Sequence, residues 1–220
     1  MKRILITGAG SGLGKELAKC YAEQGNHIIL VGRTIDKLES VAKEIRESGA
    51  SAECMSHDVS SSDSVRALAE KIAEKYENID YLINSAGVGC FGPIEEVTID
   101  EIDAMIDINV KGTILTTKLL LPYLNERILN IISTAGLRGK VNEAAYCASK
   151  FAVRGFTESL QKELKDGSIK VTAVYMGGMN TPFWENSSHI KDKSRLKAPS
   201  EVAKEIIMKD DGREEIIIEK

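Results

Sequence analysis

The order of residues predicts an α/β fold, a doubly wound parallel sheet of about seven strands with helices on both faces. Three observations carry that expectation. Short apolar, β-branched runs alternate with amphipathic stretches through the 220 residues. The runs are apolar on both sides, as strands are when helices cover both faces of a parallel sheet. A glycine cluster lies between the first run and the first amphipathic stretch, where a tight strand-to-helix turn belongs.

Taken in order, the strands are read at "RILIT", "HIILVG", "SAECMS", "YLIN", "ILNIIS", "KVTAVY" and "EEIIIE". The stretches "GKELAKCYAEQ" and "DKLESVAKEIRES" separate the first three, and "DSVRALAEKIAEKY" follows the third. In this last stretch Val65, Leu68, Ile72 and Tyr76 recur at helical spacing, with Ser62 or Asp63 as the expected N-cap. The pattern yields about six main helices in one domain, residues 1–220, with no Pro/Gly/Ser linker. Residues 177–199 break the alternation. They are polar and aperiodic and contain Phe183 and Trp184, which suits a substrate loop.

Composition narrows function by exclusion. Hydrophobic residues make up 43% and charged residues 28% of the chain, as in an ordinary globular domain. A net charge of −4 leaves no basic excess for phosphates, so nucleic acid is not an expected partner. No apolar run approaches a membrane span. No signal-peptide apolar region precedes the first strand, and a cytoplasmic protein is expected. Cys20, Cys54, Cys90 and Cys147 stand far apart with no CxxC or Cys/His cluster. That spacing suits free thiols in a reducing compartment and gives no reason to expect a metal.

Two stretches carry chemistry. In "ILITGAGSGLGKELA", Gly8, Gly12 and Gly14 permit a tight turn, close backbone approach and close helix packing. The N–H groups at the helix N-terminus then face a dinucleotide pyrophosphate. In "AAYCASKFAVRGF", Tyr146 and Lys150 are four residues apart, which on a helix puts them on one face. A free phenol, with a pKa of about 10, is a poor base at neutral pH, and a fixed ammonium beside it favours the phenolate.

The glycine spacing is T-G-x-x-x-G-x-G, and with it the chain resembles the short-chain dehydrogenase/reductase family. Further marks follow in order: "HDVS", "INSAG" with Ser85 in place of a second Asn, "INVKG", "IISTAG" and Y-x-x-x-K. The matches run from about residue 4 to residue 182. They imply a Rossmann fold and hydride transfer between a nicotinamide dinucleotide and a ketone or secondary alcohol. The implied catalytic set is Asn109, Ser133, Tyr146 and Lys150. Tyr146 is then the general acid/base, Ser133 bonds the same substrate oxygen, and Lys150 holds the nicotinamide ribose. Asn109 either holds a water that links Lys150 to solvent or satisfies backbone groups inside its helix. Family alignment selects Ser133 over its neighbour Thr134, whose side chain points the opposite way at a strand end. Cofactor contacts are implied at Gly8, Ser11, Gly12, Leu13, Gly14, Arg33, Asp58, Val59, Asn84, Ala86, Gly87, Gly177 and Thr181, besides Tyr146 and Lys150.

An acid at the end of the second strand would bond a ribose 2′-OH and repel a 2′-phosphate. Gly32 stands where NAD-preferring relatives usually carry that acid, and Arg33 follows. Arg33 is either a bidentate partner for a 2′-phosphate or a solvated loop charge. NADP(H) over NAD(H) is the expectation, although Ser11 occupies the position of a second basic residue in many NADP-preferring relatives. Met176 replaces the family's usual proline. Phe183 and Trp184 either line the substrate pocket or pin their loop to the core.

The resemblance also bears on assembly and substrate. Many relatives continue beyond the point where this chain stops, which favours a homodimer through the helices of Asn109 and Tyr146 over the common tetramer. A reductase of carrier-bound 3-oxoacyl groups is the nearest alternative activity. A basic patch at the mouth would favour it, and Arg138 and Lys140 are candidates. A non-catalytic NAD(P)-sensing protein is the other alternative, and the presence of both Tyr146 and Lys150 argues against it.

Overall fold

A computed structural model describes residues 1–185, 189 and 192–218. Its strands are β1 (Arg3–Thr7), β2 (His27–Gly32), β3 (Ser51–Ser56), β4 (Ile79–Asn84), β5 (Leu124–Ile131), β6 (Lys170–Tyr175) and β7 (Glu215–Ile217). They form one parallel sheet in the order β3-β2-β1-β4-β5-β6-β7. The helices are α1 (Gly12–Glu23), α2 (Ile35–Glu47), α3 (Ser62–Tyr76), α4 (Ile99–Met105), α5 (Thr113–Leu120), α6 (Ala144–Glu163) and α7 (Pro199–Lys209). A π-helical segment, Ile106–Gly112, follows α4 directly and leads into α5, so those two count as one rod. The architecture is the expected Rossmann fold.

Strand residues are divided between the two faces by the two-residue period. Ile4, Ile6, Ile28 and Leu30 pack with Leu17 of α1, Leu38 and Val41 of α2 and Ile206 of α7. Leu5, Ile29, Val31 and Leu82 pack on the other face with Leu68 and Ile72 of α3 and Leu160 of α6. Both faces are buried, which is why the strands read as continuous apolar runs.

Several boundaries differ from expectation, and β4 begins at Ile79, two residues before "YLIN". Ser61, rather than Ser62 or Asp63, caps α3, its hydroxyl accepting from Ser64 N. β5 begins at Leu124, which pairs with Ile79 across an irregular register, and it ends at Ile131, two residues short. Its polar opening "LNER" hides the strand from an apolar-run reading. The last strand is shorter than "EEIIIE", covering Glu215–Ile217.

The sheet sets the position of the site. β1 pairs with β2 on one side and with β4 on the other. The connections that leave the two strands therefore diverge, and a crevice opens beyond their C-terminal ends.

Candidate active site

That crevice is a cleft of about 780 Å³ over the ends of β1, β4, β5 and β6. The glycine loop forms one wall. Gly8 holds φ +68°, and a Cβ there would lie 2.8 Å from Ala86 Cα; one on Gly14 would lie 2.4 Å from the Gly8 carbonyl. Any side chain would force β4 or α1 away. Ser11 precedes α1 and makes no side-chain cap, which leaves the first-turn amides free of that competitor for an anion. Thr7, not singled out from the sequence, joins the two loops that meet here. Its hydroxyl accepts from Ser85 N and Ala86 N, both at 3.1 Å.

The outer end of the cleft is basic. Arg33 lines it, as expected, and so does Lys37 in the first turn of α2. Sequence reading missed Lys37, although its place four residues after Arg33 was the available signal. Asp58 lines the same end and accepts from Ser60 N at 2.9 Å and Ser60 Oγ at 2.7 Å. Burial pushes its carboxyl up, but the Ser60 bonds and the Arg33 guanidinium outweigh this and hold it below its ordinary value.

The inner end holds Ser133, Tyr146 and Lys150, all buried and all lining the cleft. Lys150 Nζ donates to the Ile131 carbonyl at 3.1 Å and lies 5.8 Å from the centre of the Tyr146 ring. Burial lowers the Lys150 ammonium to about 8. Burial also raises the Tyr146 phenol; the Ser133 hydroxyl beside it acts the other way, and Glu143 and Cys147 add to the rise. Desolvation dominates, the expected pull of the ammonium toward phenolate does not register, and the protein's own groups keep Tyr146 protonated. Ser133 Oγ accepts from Ala135 N at 3.1 Å, so its O–H is the end left to donate.

Of the residues implied by the resemblance, the two asparagines do not line the cleft. Asn84 points into a buried polar chain, donating to Thr117 Oγ1 and to Asn130 Oδ1. Asn130 continues it to Thr157. Asn109 lies in the π-helical segment and bonds both backbone groups of Val88, at 2.8 and 2.9 Å, and Ser149 Oγ at 3.0 Å. It ties the loop after β4 to the turn of α6 that carries Tyr146 and Lys150. Gly177 and Thr181 line the cleft. Residues 186–188, 190 and 191 of the expected 177–199 loop lie outside the described residues. Met176, in place of proline, accepts from Thr134 N at 2.9 Å.

Phe183 and Trp184 do both of the things expected as alternatives. They line the cleft, and Trp184 also pins its loop by donating to the Met179 carbonyl at 2.9 Å. Phe91 completes this wall. It was not singled out, lying in a segment whose sequence carries no diagnostic pattern. Of the two basic candidates at the mouth, Lys140 lines the cleft but is engaged with Thr134 and Glu143. Arg138 is exposed and not among the lining residues.

Comparison with known proteins bears on this geometry. The family model for short chain dehydrogenase matches residues 2–192. The chain belongs to that family. As a short-chain dehydrogenase it is an oxidoreductase, and its relatives agree. It is 39% identical over 187 residues to an uncharacterized oxidoreductase of Staphylococcus saprophyticus, covering 83% of this chain and 80% of that one. It is 34% identical over 196 residues to the sepiapterin reductase of Chlorobaculum tepidum, covering 84% and 80%. Among solved structures, the alcohol dehydrogenase of the archaeon Thermococcus sibiricus, complexed with 5-hydroxy-NADP, superposes with a TM-score of 0.90 at 28% identity, covering 99% of this chain and 96% of that one.

Proposed function

We propose that this short-chain dehydrogenase transfers hydride reversibly between NADP(H) and a ketone or secondary alcohol, with Tyr146 as general acid/base. The observation that carries the reading is one cleft with two ends. Buried Tyr146, Ser133 and Lys150 meet at its inner end, and Arg33 and Lys37 line its outer end. The glycine loop, held tight against Ala86 and the start of α1 by Gly8 and Gly14, which admit no Cβ, fits a dinucleotide.

The first-turn amides of α1 would hold the pyrophosphate, Asp58 and Val59 the adenine, Lys150 the ribose hydroxyls, and Thr181 and Gly177 the carboxamide end. When bound, the nicotinamide supplies or accepts the hydride. Tyr146 Oη gives its proton to the carbonyl oxygen in reduction and recovers it in oxidation. Ser133 donates to the same oxygen as charge develops there. Asn109 positions Lys150 and Tyr146 through Ser149. Arg33 and Lys37 pair with a 2′-phosphate, and no acid stands at Gly32 to repel it. The alcohol dehydrogenase complexed with 5-hydroxy-NADP supports the cofactor class. The sepiapterin reductase supports a carbonyl substrate.

The test is oxidation of NADPH over a panel of ketones and aldehydes, repeated with NADH. Tyr146→Phe lowers turnover by about 10²–10⁴-fold while NADPH still binds; near-normal rates in that variant would sink the mechanism. Removing Arg33 and Lys37 together weakens NADPH far more than NADH, and equal losses would point to NAD(H).

A further inference from the structure

The inner end of the cleft differs from the outer in both shape and charge. Rings wall it: Phe91 stands edge-on to Tyr146 with centroids 5.2 Å apart, and Phe183 lies 5.9 Å from each of them. Trp184 stacks on Phe91 at 4.8 Å. Gly89 makes this packing feasible, since a Cβ there would fall 2.6 Å from both Phe91 Cζ and Phe183 Cζ. His189 also stacks on Phe91, at 5.1 Å, and the ring surface that lines the cleft gives apolar contact to a planar group.

The charge at this end leans acidic, with three carboxylates against the ammonium groups of Lys140 and the deeper Lys150. Glu143, one turn before Tyr146 on the rim of α6, is 8% exposed and lines the cleft, together with Glu101 and the exposed Glu185. Lys140 lies 3.7 Å from the Glu143 carboxylate, and His189 Nε2 lies 3.1 Å from it. The Lys140 ammonium also donates to Thr134, so it is not held out toward an incoming anion. A carboxylate in so enclosed a site repels a second anion more strongly than it would in water.

We propose that, on the reading that this cleft reduces a carbonyl, its substrate is an aryl or otherwise conjugated ketone or aldehyde that is neutral or cationic. Glu143 is the specificity residue that turns anionic compounds away. The same carboxylates disfavour a substrate delivered by an acidic acyl carrier.

Trp184 is the chain's one tryptophan, so its fluorescence reports occupancy of this end without turnover. The protein, alone and saturated with NADP⁺, is titrated with acetophenone and with its para-trimethylammonium and para-carboxylate derivatives. The cation binds at least tenfold tighter than the carboxylate, with the parent between them, and Glu143→Gln collapses the ratio toward one. Phe91→Leu weakens all three. A carboxylate that binds as tightly as the cation to the unaltered protein overturns the proposal even if Glu143→Gln does not fold. So does a fluorescence signal that none of the three changes. Turnover of the neutral parent with NADPH is scored separately. A charge contrast without turnover removes carbonyl reduction and keeps the specificity, whereas turnover without the contrast does the reverse.

Discussion

Ser133 holds φ +147° and ψ 157°, a combination nearly confined to glycine and costing about 1–3 kcal/mol. It is held there by Thr134 N bonding Met176 O at 2.9 Å and by its own hydroxyl accepting from Ala135 N at 3.1 Å. Lys150 carries a second cost. Burial lowers its folded-state pKa from 10.5 to about 8, a difference worth about 3 kcal/mol. Below pH 8 both folded and unfolded chains hold the proton, and the cost is felt in full. Between pH 8 and 10.5 the unfolded chain binds more protons than the folded one, so stability rises with pH across that window. Lys150→Met should therefore abolish turnover yet melt several degrees higher at pH 7, with the rise between pH 8 and 10.5 flattened. A lower melting temperature in calorimetry would show that the ammonium is stabilising instead. Tyr146 and Lys150 were legible from their spacing, but these energies were not, because they depend on water being excluded by segments far away in the chain.

α6 brings Tyr146 and Lys150 to the end of β5 because Gly136 lets it approach. A Cβ at Gly136 would lie 2.6 Å from Ile132 Cγ2 and 3.0 Å from the Lys150 carbonyl. Gly136→Ala should cost about 1–3 kcal/mol of stability. It should also lower kcat more than it raises KM for NADPH, since it shifts the acid/base pair against Ser133 while leaving the glycine loop alone. Unchanged kcat would show that the helix relaxes without moving the pair. Helices α1 to α3 were legible from their 3.6-residue period. The π-helical segment was not, because a widened turn leaves no mark in periodicity. It accompanies contacts to distant chain: Asn109 reaches Val88 and Ser149, while its carbonyl accepts from Thr113 Oγ1 at 2.8 Å.

Taken as a whole, the molecule leaves apolar side chains exposed on the rod from α4 to α5 and on α6. Ile99 is 76% exposed, and Ile106 and Phe151 are each more than 40% exposed. We propose that these helices pair between two copies of the chain. Light scattering should give twice 24.0 kDa at micromolar concentration, and Phe151→Glu should halve it. A monomer in the unaltered protein would remove the proposal. The alternation of runs and the order of short motifs determined the fold and the family and named the residues proposed to react, because those features are local in the chain. Folding across long sequence separations determined what surrounds Tyr146. It set Phe91, Phe183 and Glu143 beside the phenol and turned Asn84 away from the cleft. It also brought Lys37 to the outer end beside Arg33. Spacing named the glycine loop and residues that line the cleft; packing determined the charge and shape around them, because those depend on segments far apart in the chain.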